Sequence, residues 1–345
     1  MKITLKRRRL SSSQIILLGF LGVIASGTIL LMLPWARAGA GSAPFLDALF
    51  TATSATCVTG LITNDTATYW SVFGQTVILC LIQVGGLGVI TVAIFITKLS
   101  GRKIGLMQRS TMQEAIAAPQ MGGIVRMTGF ILKMVVVIEA LGAAALLPAM
   151  IPEFGIVRGI WYAVFHSISS FCNAGFDLMG VKEPYSSLTS YTGDVAVNVI
   201  VMVLIVVGGI GFLTWDDVKR NRFHLRRYRM QSKVVLTVTA VLIVLPAVFF
   251  YWKEFGMPGW EDMSVGERIL ASFFQSVTTR TAGYNTVDLT QLTQSGQMIM
   301  ILLMLIGGSP GSTAGGMKVT TLAVLFATAV AVFRRRPNAH IFGRR

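Results

Sequence analysis

Three short stretches rich in serine, threonine and small residues each begin with phenylalanine and end in glycine ten residues later. They are Phe50–Gly60 (FTATSATCVTG), Phe165–Gly175 (FHSISSFCNAG) and Phe273–Gly283 (FFQSVTTRTAG), and none contains an acid. A dehydrated monovalent cation needs a ring of oxygen dipoles, which backbone carbonyls can supply. Glycine reaches the backbone angles that turn carbonyls toward one side. The recurrence in register favours cation-coordinating loops; the alternative is that the glycines only permit close helix packing.

The segments around these stretches are apolar enough to lie in a membrane. Apolar residues make up 53% of the 345 residues and charged residues 13%, against about 25% charged in soluble domains. Six runs approach or exceed the roughly 20 residues that a helix needs to cross the hydrocarbon core. They are Leu10–Ala36, Thr66–Thr97, Met127–Met150, Val195–Trp215, Val234–Trp252 and Leu289–Met317. The composition therefore predicts an all-α polytopic membrane protein.

Basic and acidic residues occupy alternating sets of loops. Basic residues dominate Lys6–Arg9, Lys98–Arg109, Lys219–Lys233 and Arg334–Arg336, and acids dominate the loops between them. In multi-span proteins the basic loops remain in the cytoplasm. The pattern predicts a multi-pass protein of the plasma or inner membrane with a cytoplasmic N-terminus. It also explains the net charge of +15 without a nucleic-acid partner.

Each glycine-ended stretch occupies the same place in a repeated unit of span, short helix, loop and span. About 10 to 12 apolar residues precede each loop, enough to cover half a bilayer as a helix. Because the chain must enter and leave on the outer side, we expect the short helix and loop to be re-entrant. The Gly-Gly pairs of the returning spans (85–86, 208–209 and 307–308) are interpreted as packing positions. The predicted organisation is a cytoplasmic N-terminus (1–13), three pore repeats (14–110, 127–218 and 232–333, the last with a broken final span) and the start of a cytoplasmic linker (334–345).

A glycine-rich interruption breaks the apolar run between Gln297 and Phe333. Proline removes a backbone donor, and each glycine lowers helix propensity by about 1 kcal/mol relative to alanine. The run therefore predicts two half-helices around a mid-membrane loop, on the cytoplasmic side of the re-entrant loops. A polar loop in that place is typical of a gate; the alternative is a static kink. The predicted gate residues are Gly307, Gly308, Ser309, Pro310, Gly311, Ser312, Thr313, Ala314, Gly315, Gly316 and Lys318.

Two basic residues lie within the predicted membrane region, where charge is costly and often functional. Lys318 follows the gate loop and either steadies it, forms a positive barrier or extends to the cytoplasmic surface. Arg280 lies in the third glycine-ended loop, where a side chain aimed into a pore would repel cations. We expect Arg280 to point away and to bond outer-loop carbonyls or Asp288. We also expect the glycine-ended loops to set ion affinity and the gate loop to set the maximal rate.

The fragments SATCVTGL, SSFCNAGFDLMG, TTRTAGYNT and IGGSPGSTAGGMK resemble the Trk/Ktr/HKT superfamily of potassium transporters, and within it the Ktr-type membrane subunits. The resemblance extends from about residue 10 to the last residue. It implies four repeats around one pore, potassium as the substrate with sodium as a candidate co-ion, and no cofactor bound by this chain. It also implies a homodimer and a KtrA-like cytoplasmic nucleotide-binding regulatory subunit. The implied filter residues are Thr56, Cys57, Val58, Thr59 and Gly60; Phe171, Cys172, Asn173, Ala174 and Gly175; and Thr279, Arg280, Thr281, Ala282 and Gly283.

The sequence contains three of the four units that the resemblance implies. The loop glycines are separated by 115 and 108 residues, so a fourth is expected at about residue 390 and the chain is expected to be a fragment. Rival interpretations are a sodium-conducting member of the same superfamily, a secondary carrier for another small solute and a membrane enzyme. The enzyme is disfavoured because His166, His224 and His340 and the three cysteines form no catalytic or metal-binding pattern.

Overall fold

The computed structural model describes residues 11–89, 91–93, 105–116, 123–222 and 224–336. Most of the predicted N-terminal segment (1–13) and linker (334–345), and the end of the run Thr66–Thr97, lie outside them. The described residues are mostly helical and contain no β-sheet, only two isolated bridges. The helices are α1 (Ser12–Leu31), α2 (Phe45–Thr56), α3 (Thr66–Tyr69), α4 (Val72–Leu87), α5 (Leu106–Ile116), α6 (Ile124–Phe154), α7 (Ile156–Phe171), α8 (Val195–Gly209), α9 (Phe212–Asn221), α10 (Met230–Phe249), α11 (Val265–Thr278), α12 (Gln294–Met304) and α13 (Val319–Phe333). A π-helical turn, Phe250–Glu254, extends α10.

Three helices of the described residues are individually long and apolar enough to cross a membrane: α1, α6 and α10 with its extension. The pair α8 and α9, bent by 97° at residues 210 and 211, qualifies as a fourth span. Helices α4, α12 and α13 are apolar but shorter. The predicted class, an all-α polytopic membrane protein, is confirmed. The returning segments of the first two repeats are broken within the described residues, a feature that the sequence analysis did not foresee.

The returning spans are interrupted where glycine adopts left-handed backbone angles. Helix α4 ends at Leu87, and the next residue, Gly88, has a φ of 83°. Helix α8 ends at Gly209, two residues before Gly211 with a φ of 88°. Glycine adopts such angles without a Cβ penalty, but they end a right-handed helix. The third returning span stops at Met304 and resumes at Val319, as its glycines and proline predicted.

Helices α2, α7 and α11 are the three predicted re-entrant helices. They contain 12, 16 and 14 residues, so two of them are longer than predicted. Their first turns carry exposed apolar side chains such as Phe45, Val157 and Val265, and their last turns are buried. Each helix therefore carries its C-terminal carbonyls, with their partial negative charge, into the protein interior.

Glycine also permits close packing of α6 against α7 and α8. A Cβ added at Gly142 would lie 2.5 Å from Ser167 Oγ and 2.8 Å from a methyl group of Leu204. The Ser167 hydroxyl donates a hydrogen bond of 2.7 Å to the carbonyl of Glu139, one turn earlier on α6. Close contacts and interhelical hydrogen bonds of this kind hold helices together in lipid, where burial of apolar surface contributes little.

We expect Gly142→Ala to lower thermal stability in detergent, because the added methyl overpacks the contact at a cost of about 1–3 kcal/mol. Gly22→Ala is the matched control, since a Cβ at Gly22 on α1 meets no atom within 4 Å. Melting temperatures of the two purified variants and the unsubstituted protein decide the matter. Equal melting temperatures would show that α6 does not depend on a glycine at this contact.

Candidate functional site

The three glycine-ended segments, 56–60, 171–175 and 279–283, share one backbone pattern. Val58, Asn173 and Thr281 have φ values of 56°, 55° and 64°, in the left-handed region. Two residues later Gly60, Gly175 and Gly283 have φ values of 81°, 69° and 88°. Asparagine tolerates this region, but β-branched Val58 and Thr281 are outliers there, at a cost of about 1–3 kcal/mol each.

This repeated pattern changes the directions of the carbonyl groups. In an extended strand, successive residues face opposite sides. Left-handed residues at alternate positions disrupt that alternation, so neighbouring carbonyls can face the same side. Strain of this kind persists only where the surroundings enforce it, and it clusters at functional positions.

The helical boundaries differ slightly from those of the predicted segments. Thr56 and Phe171 are the last residues of α2 and α7, and Thr279 is the C-cap of α11. The first residue of each segment thus belongs to a helix end, and the other four residues follow it. The dipoles of the three helix C-termini add partial negative charge at the start of each segment.

Neighbouring segments are in direct contact. A Cβ added at Gly60 would lie 2.6 Å from the Ala174 carbonyl oxygen. A Cβ at the next segment's Gly175 would overlap the carbonyl oxygen of Ala282. The first segment therefore lies against the second, and the second against the third, with the glycine of one beside the carbonyl preceding the glycine of the next.

The Gly-Gly pairs of α4 and α8 lie directly behind these segments. A Cβ at Gly85 would overlap the carbonyl oxygen of Thr56, and one at Gly208 would overlap that of Phe171. A Cβ at Gly86 would lie 2.7 Å from the sulfur of Cys172. The packing interpretation is confirmed for Gly85, Gly86 and Gly208, and the surfaces that they contact are the glycine-ended segments. A Cβ at Gly209 would meet only Asn173 Nδ2, at 3.8 Å.

The glycine-rich loop, residues 305–318, packs against the break between α8 and α9. The Ser309 amide donates to the Gly209 carbonyl at 2.9 Å, and the Phe212 amide donates to the Gly311 carbonyl at 2.7 Å. The Thr313 hydroxyl lies 2.9 Å from the Phe171 carbonyl oxygen and 3.0 Å from Asn173 Oδ1. The loop is therefore bonded both to the broken span and to the second glycine-ended segment.

Within the loop, Lys318 Nζ donates a hydrogen bond of 2.7 Å to the Ala314 carbonyl. Of the three positions for Lys318 that the sequence left open, this contact supports the one in which it steadies the loop. The Ser312 hydroxyl donates to the Ser309 carbonyl at 2.6 Å. The Ser309 hydroxyl is buried and has no partner among the described residues, so it does not satisfy a freed backbone group as serine could.

A cavity of about 200 Å³ lies between the first segment, the end of α4 and the loop. Thr56, Cys57 and Val58 line one side of it. Gly85–Gly88 and Gly311–Gly315 line much of the remainder. Three predicted filter residues of the first segment and part of the predicted gate thus face a common space.

Arg280 does not behave as predicted. Its side chain is 3% exposed, and none of its three guanidinium nitrogens has a hydrogen-bond partner among the described residues. Asp288 instead accepts hydrogen bonds from the Thr290 amide and the Gln291 side chain. The hydrogen bonds with Thr290 and Gln291 keep the pKa of Asp288 below its ordinary value.

Gln83 is a site residue that the sequence interpretation missed. Its Nε2 donates to the carboxylate of Glu139 at 3.0 Å, and its Oε1 lies 3.9 Å from the sulfur of Cys172. It therefore connects a carboxylate in the membrane region to the second glycine-ended segment. A signal was available, because Gln83 is a polar residue within an apolar run, and buried polar groups in lipid require partners.

Together these features define a multi-span membrane protein in which short helices bring irregular, strained segments into contact with one another and with a glycine-rich loop. A family model described as TrkH, cation transport protein, matches residues 7–344. The chain belongs to this family of cation transport proteins.

Two characterised relatives and one solved structure give the scale of the similarity. The chain is 42% identical to the potassium/sodium uptake protein NtpJ of Enterococcus hirae and 38% identical to the Ktr system potassium uptake protein B of Bacillus subtilis. These matches cover 98% and 97% of this chain and 74% of each relative. The crystal structure of the potassium transporter TrkH from Vibrio parahaemolyticus matches with a TM-score of 0.69 at 19% identity. That match covers 96% of this chain and 64% of that one, and it establishes a shared fold.

The contact between the loop and the second segment leads to a stability prediction. Thr313→Val removes a hydroxyl that bonds two buried acceptors, and losing such a bond costs about 1–3 kcal/mol. We expect a lower melting temperature in detergent for Thr313→Val and a value near that of the unsubstituted protein for Thr313→Ser, which keeps the hydroxyl. If Thr313→Val, which keeps a methyl group, melted like the unsubstituted protein while Thr313→Ser, which lacks it, melted at a lower temperature, the methyl group rather than the hydrogen bond would be the important part of the contact.

Proposed function

We propose that the protein takes potassium ions into the cell through a pore to which the three glycine-ended segments contribute. The observation that carries the proposal is the paired left-handed pattern, which recurs at Val58 and Gly60, Asn173 and Gly175, and Thr281 and Gly283. It occurs at buried helix ends and uses no acidic side chain. Backbone carbonyls can replace the hydration shell of a monovalent cation when several of them face one side, as this backbone allows. One relative is named as a potassium/sodium uptake protein and the other as a potassium uptake protein.

In this proposal the residues of segments 56–60, 171–175 and 279–283 bind the ion through backbone oxygens, assisted by the dipoles of α2, α7 and α11. Within the glycine-rich loop, residues 307–316 together with Lys318 form the gate on the exit side. That side is cytoplasmic, because α13 leads from the loop to Arg334–Arg336 and basic residues remain inside. The same rule places the N-terminus in the cytoplasm and the protein in the plasma or inner membrane.

Sodium is the second candidate cation, either as a co-ion or as the main substrate. One relative is named as a potassium/sodium uptake protein, and carbonyl oxygens bind both ions. We further propose a homodimer and a cytoplasmic nucleotide-binding regulatory subunit. The support is that another relative is named as part of a Ktr system, and that the basic loop Lys219–Lys233 offers a charged surface on the proposed cytoplasmic side.

The test is potassium uptake by the full-length protein in cells that lack their own potassium uptake systems. The unsubstituted protein should restore growth at low potassium, and Gly175→Ala should raise the potassium concentration for half-maximal uptake at least tenfold. A Cβ at Gly175 is strained at a φ of 69° and overlaps the Ala282 carbonyl oxygen, so it displaces two proposed ligand positions.

Gly155→Ala is the matched control for backbone strain. Gly155 also has a positive φ, 77°, but a Cβ there meets no atom within 4 Å. It lies between α6 and α7, away from the segments. We expect the half-maximal potassium concentration of Gly155→Ala to equal that of the unsubstituted protein. If the unsubstituted protein failed to restore growth at low potassium, potassium uptake would be contradicted. If Gly175→Ala and Gly155→Ala had equal half-maximal potassium concentrations, the assignment of ion binding to the segments would be contradicted.

A separate prediction concerns the gate. Lys318→Met removes the hydrogen bond to the Ala314 carbonyl, so the loop should leave the exit path more readily. We expect a two- to threefold higher maximal uptake rate per protein in the membrane, and a smaller change in the half-maximal potassium concentration. Lys318→Arg, which keeps a donor and the charge, is the control. A lower rate for Lys318→Met would favour the static kink over the gate.

A further inference from the structure

The third glycine-ended segment differs from the other two at one position. Three residues before the glycine, the first segment carries Cys57 and the second carries Cys172, whereas the third carries Arg280. The left-handed pattern begins at the following residue in all three segments. The third segment therefore carries a charged side chain where the other two segments, with the same backbone conformation, carry a small, uncharged one.

Arg280 is buried without a countercharge. Its side chain is 3% exposed, and its guanidinium nitrogens have no hydrogen-bond partner among the described residues. All 15 acids of the chain lie within the described part, and none of the ion pairs found there includes Arg280. The remaining exposure is too small for the carboxylate of another polypeptide to reach the guanidinium without rearrangement. Burying an unpaired charge is strongly unfavourable, which suggests that the charge itself has a use.

The backbone of Arg280 is part of the contact between two segments. Asn173 Nδ2 donates to the Arg280 carbonyl oxygen at 3.3 Å and to the Ile205 carbonyl oxygen at the same distance. The guanidinium is carried by the same residue as one of the carbonyls proposed to face the ion. The guanidinium lies within one side-chain length of that carbonyl, and charges in a poorly solvated interior are weakly screened over such separations. We therefore expect it to act on a cation that occupies the segments.

We propose that Arg280 is a specificity- and affinity-determining residue whose fixed positive charge weakens cation binding at the third segment. This inference rests on the proposed function. Conduction requires binding that is favourable enough for entry and weak enough for release. Three segments of uncharged, carbonyl-bearing backbone would bind the ion more tightly and release it more slowly. The charge of Arg280 offsets part of that attraction from one side of the binding position.

The experiment compares potassium uptake by the full-length protein carrying Arg280→Cys, Arg280→Lys or neither. Cysteine is the residue that the other two segments carry at this position, so the backbone is suited to it. We expect Arg280→Cys to lower the half-maximal potassium concentration at least fivefold and to reduce the maximal rate. Arg280→Lys keeps the charge and should stay within twofold of the unsubstituted protein.

Adding a positive charge at the first segment is expected to have the opposite effect on the half-maximal potassium concentration. Cys57 is exposed toward the cavity, so Cys57→Arg adds a second charge where there is room for it, and Cys57→Gln is its uncharged control. Cys57→Arg should raise the half-maximal concentration at least fivefold relative to Cys57→Gln. This arm remains informative if Arg280→Cys fails to reach the membrane.

The proposal is overturned if Arg280→Cys leaves the half-maximal concentration unchanged or raises it. It is also overturned if Arg280→Lys behaves as Arg280→Cys does, because the shape of the guanidinium would then matter rather than its charge. An absence of difference between Cys57→Arg and Cys57→Gln would count against it equally. Lack of uptake by the unsubstituted protein would instead contradict the proposed function, which keeps the two failures distinct.

Discussion

The structure depends on a single constraint: backbone that leaves the helical conformation inside a membrane must find hydrogen-bond partners within the protein. Helix α8 ends at Gly209, which frees carbonyls that a continuous helix would satisfy. The glycine-rich loop provides the donors, since the Thr313 amide bonds the Gly208 carbonyl and the Ser309 amide bonds the Gly209 carbonyl. Two irregular elements that are far apart in sequence thereby satisfy each other's backbone hydrogen-bonding groups. Neither could lie within the membrane without the other.

This mutual bonding couples the loop to the glycine-ended segments. The loop is bonded to α8 through its backbone and to the second segment through the Thr313 hydroxyl, close to Asn173. Each such bond contributes about 0.5–1.5 kcal/mol net, so a movement of the loop that breaks three or four of them changes stability by several kcal/mol. The sequence suggested that affinity and maximal rate belong to separate elements. The contacts argue for partial coupling, in which displacement of the loop also releases Phe171 and Asn173.

Sequence patterns predicted the larger features because these follow from spacing and composition. The interval of ten residues between phenylalanine and glycine located α2, α7 and α11, and the glycines and Pro310 located the broken final span. Other features depend on tertiary contacts that local patterns do not contain. Val58 and Thr281 have β-branched side chains that disfavour left-handed angles, so the pattern could not be predicted from residue type. The break after Gly209 was missed because a Gly-Gly pair in a span is equally typical of close packing, and here it serves both purposes.

The joining of the segments in one chain also explains how they can differ. In a symmetric oligomer every subunit must carry the same residue at each position of a shared site. Here the backbone repeats closely, while the side chains next to it do not: Val58, Asn173 and Thr281 occupy one equivalent position. Asn173 alone among them bonds a neighbouring segment through its amide, and it also meets the loop hydroxyl. A cation held by backbone oxygens would therefore meet similar ligands on each side but unequal surroundings behind them. Unequal surroundings allow one segment to be coupled to the loop and another to carry charge, while the common backbone remains intact.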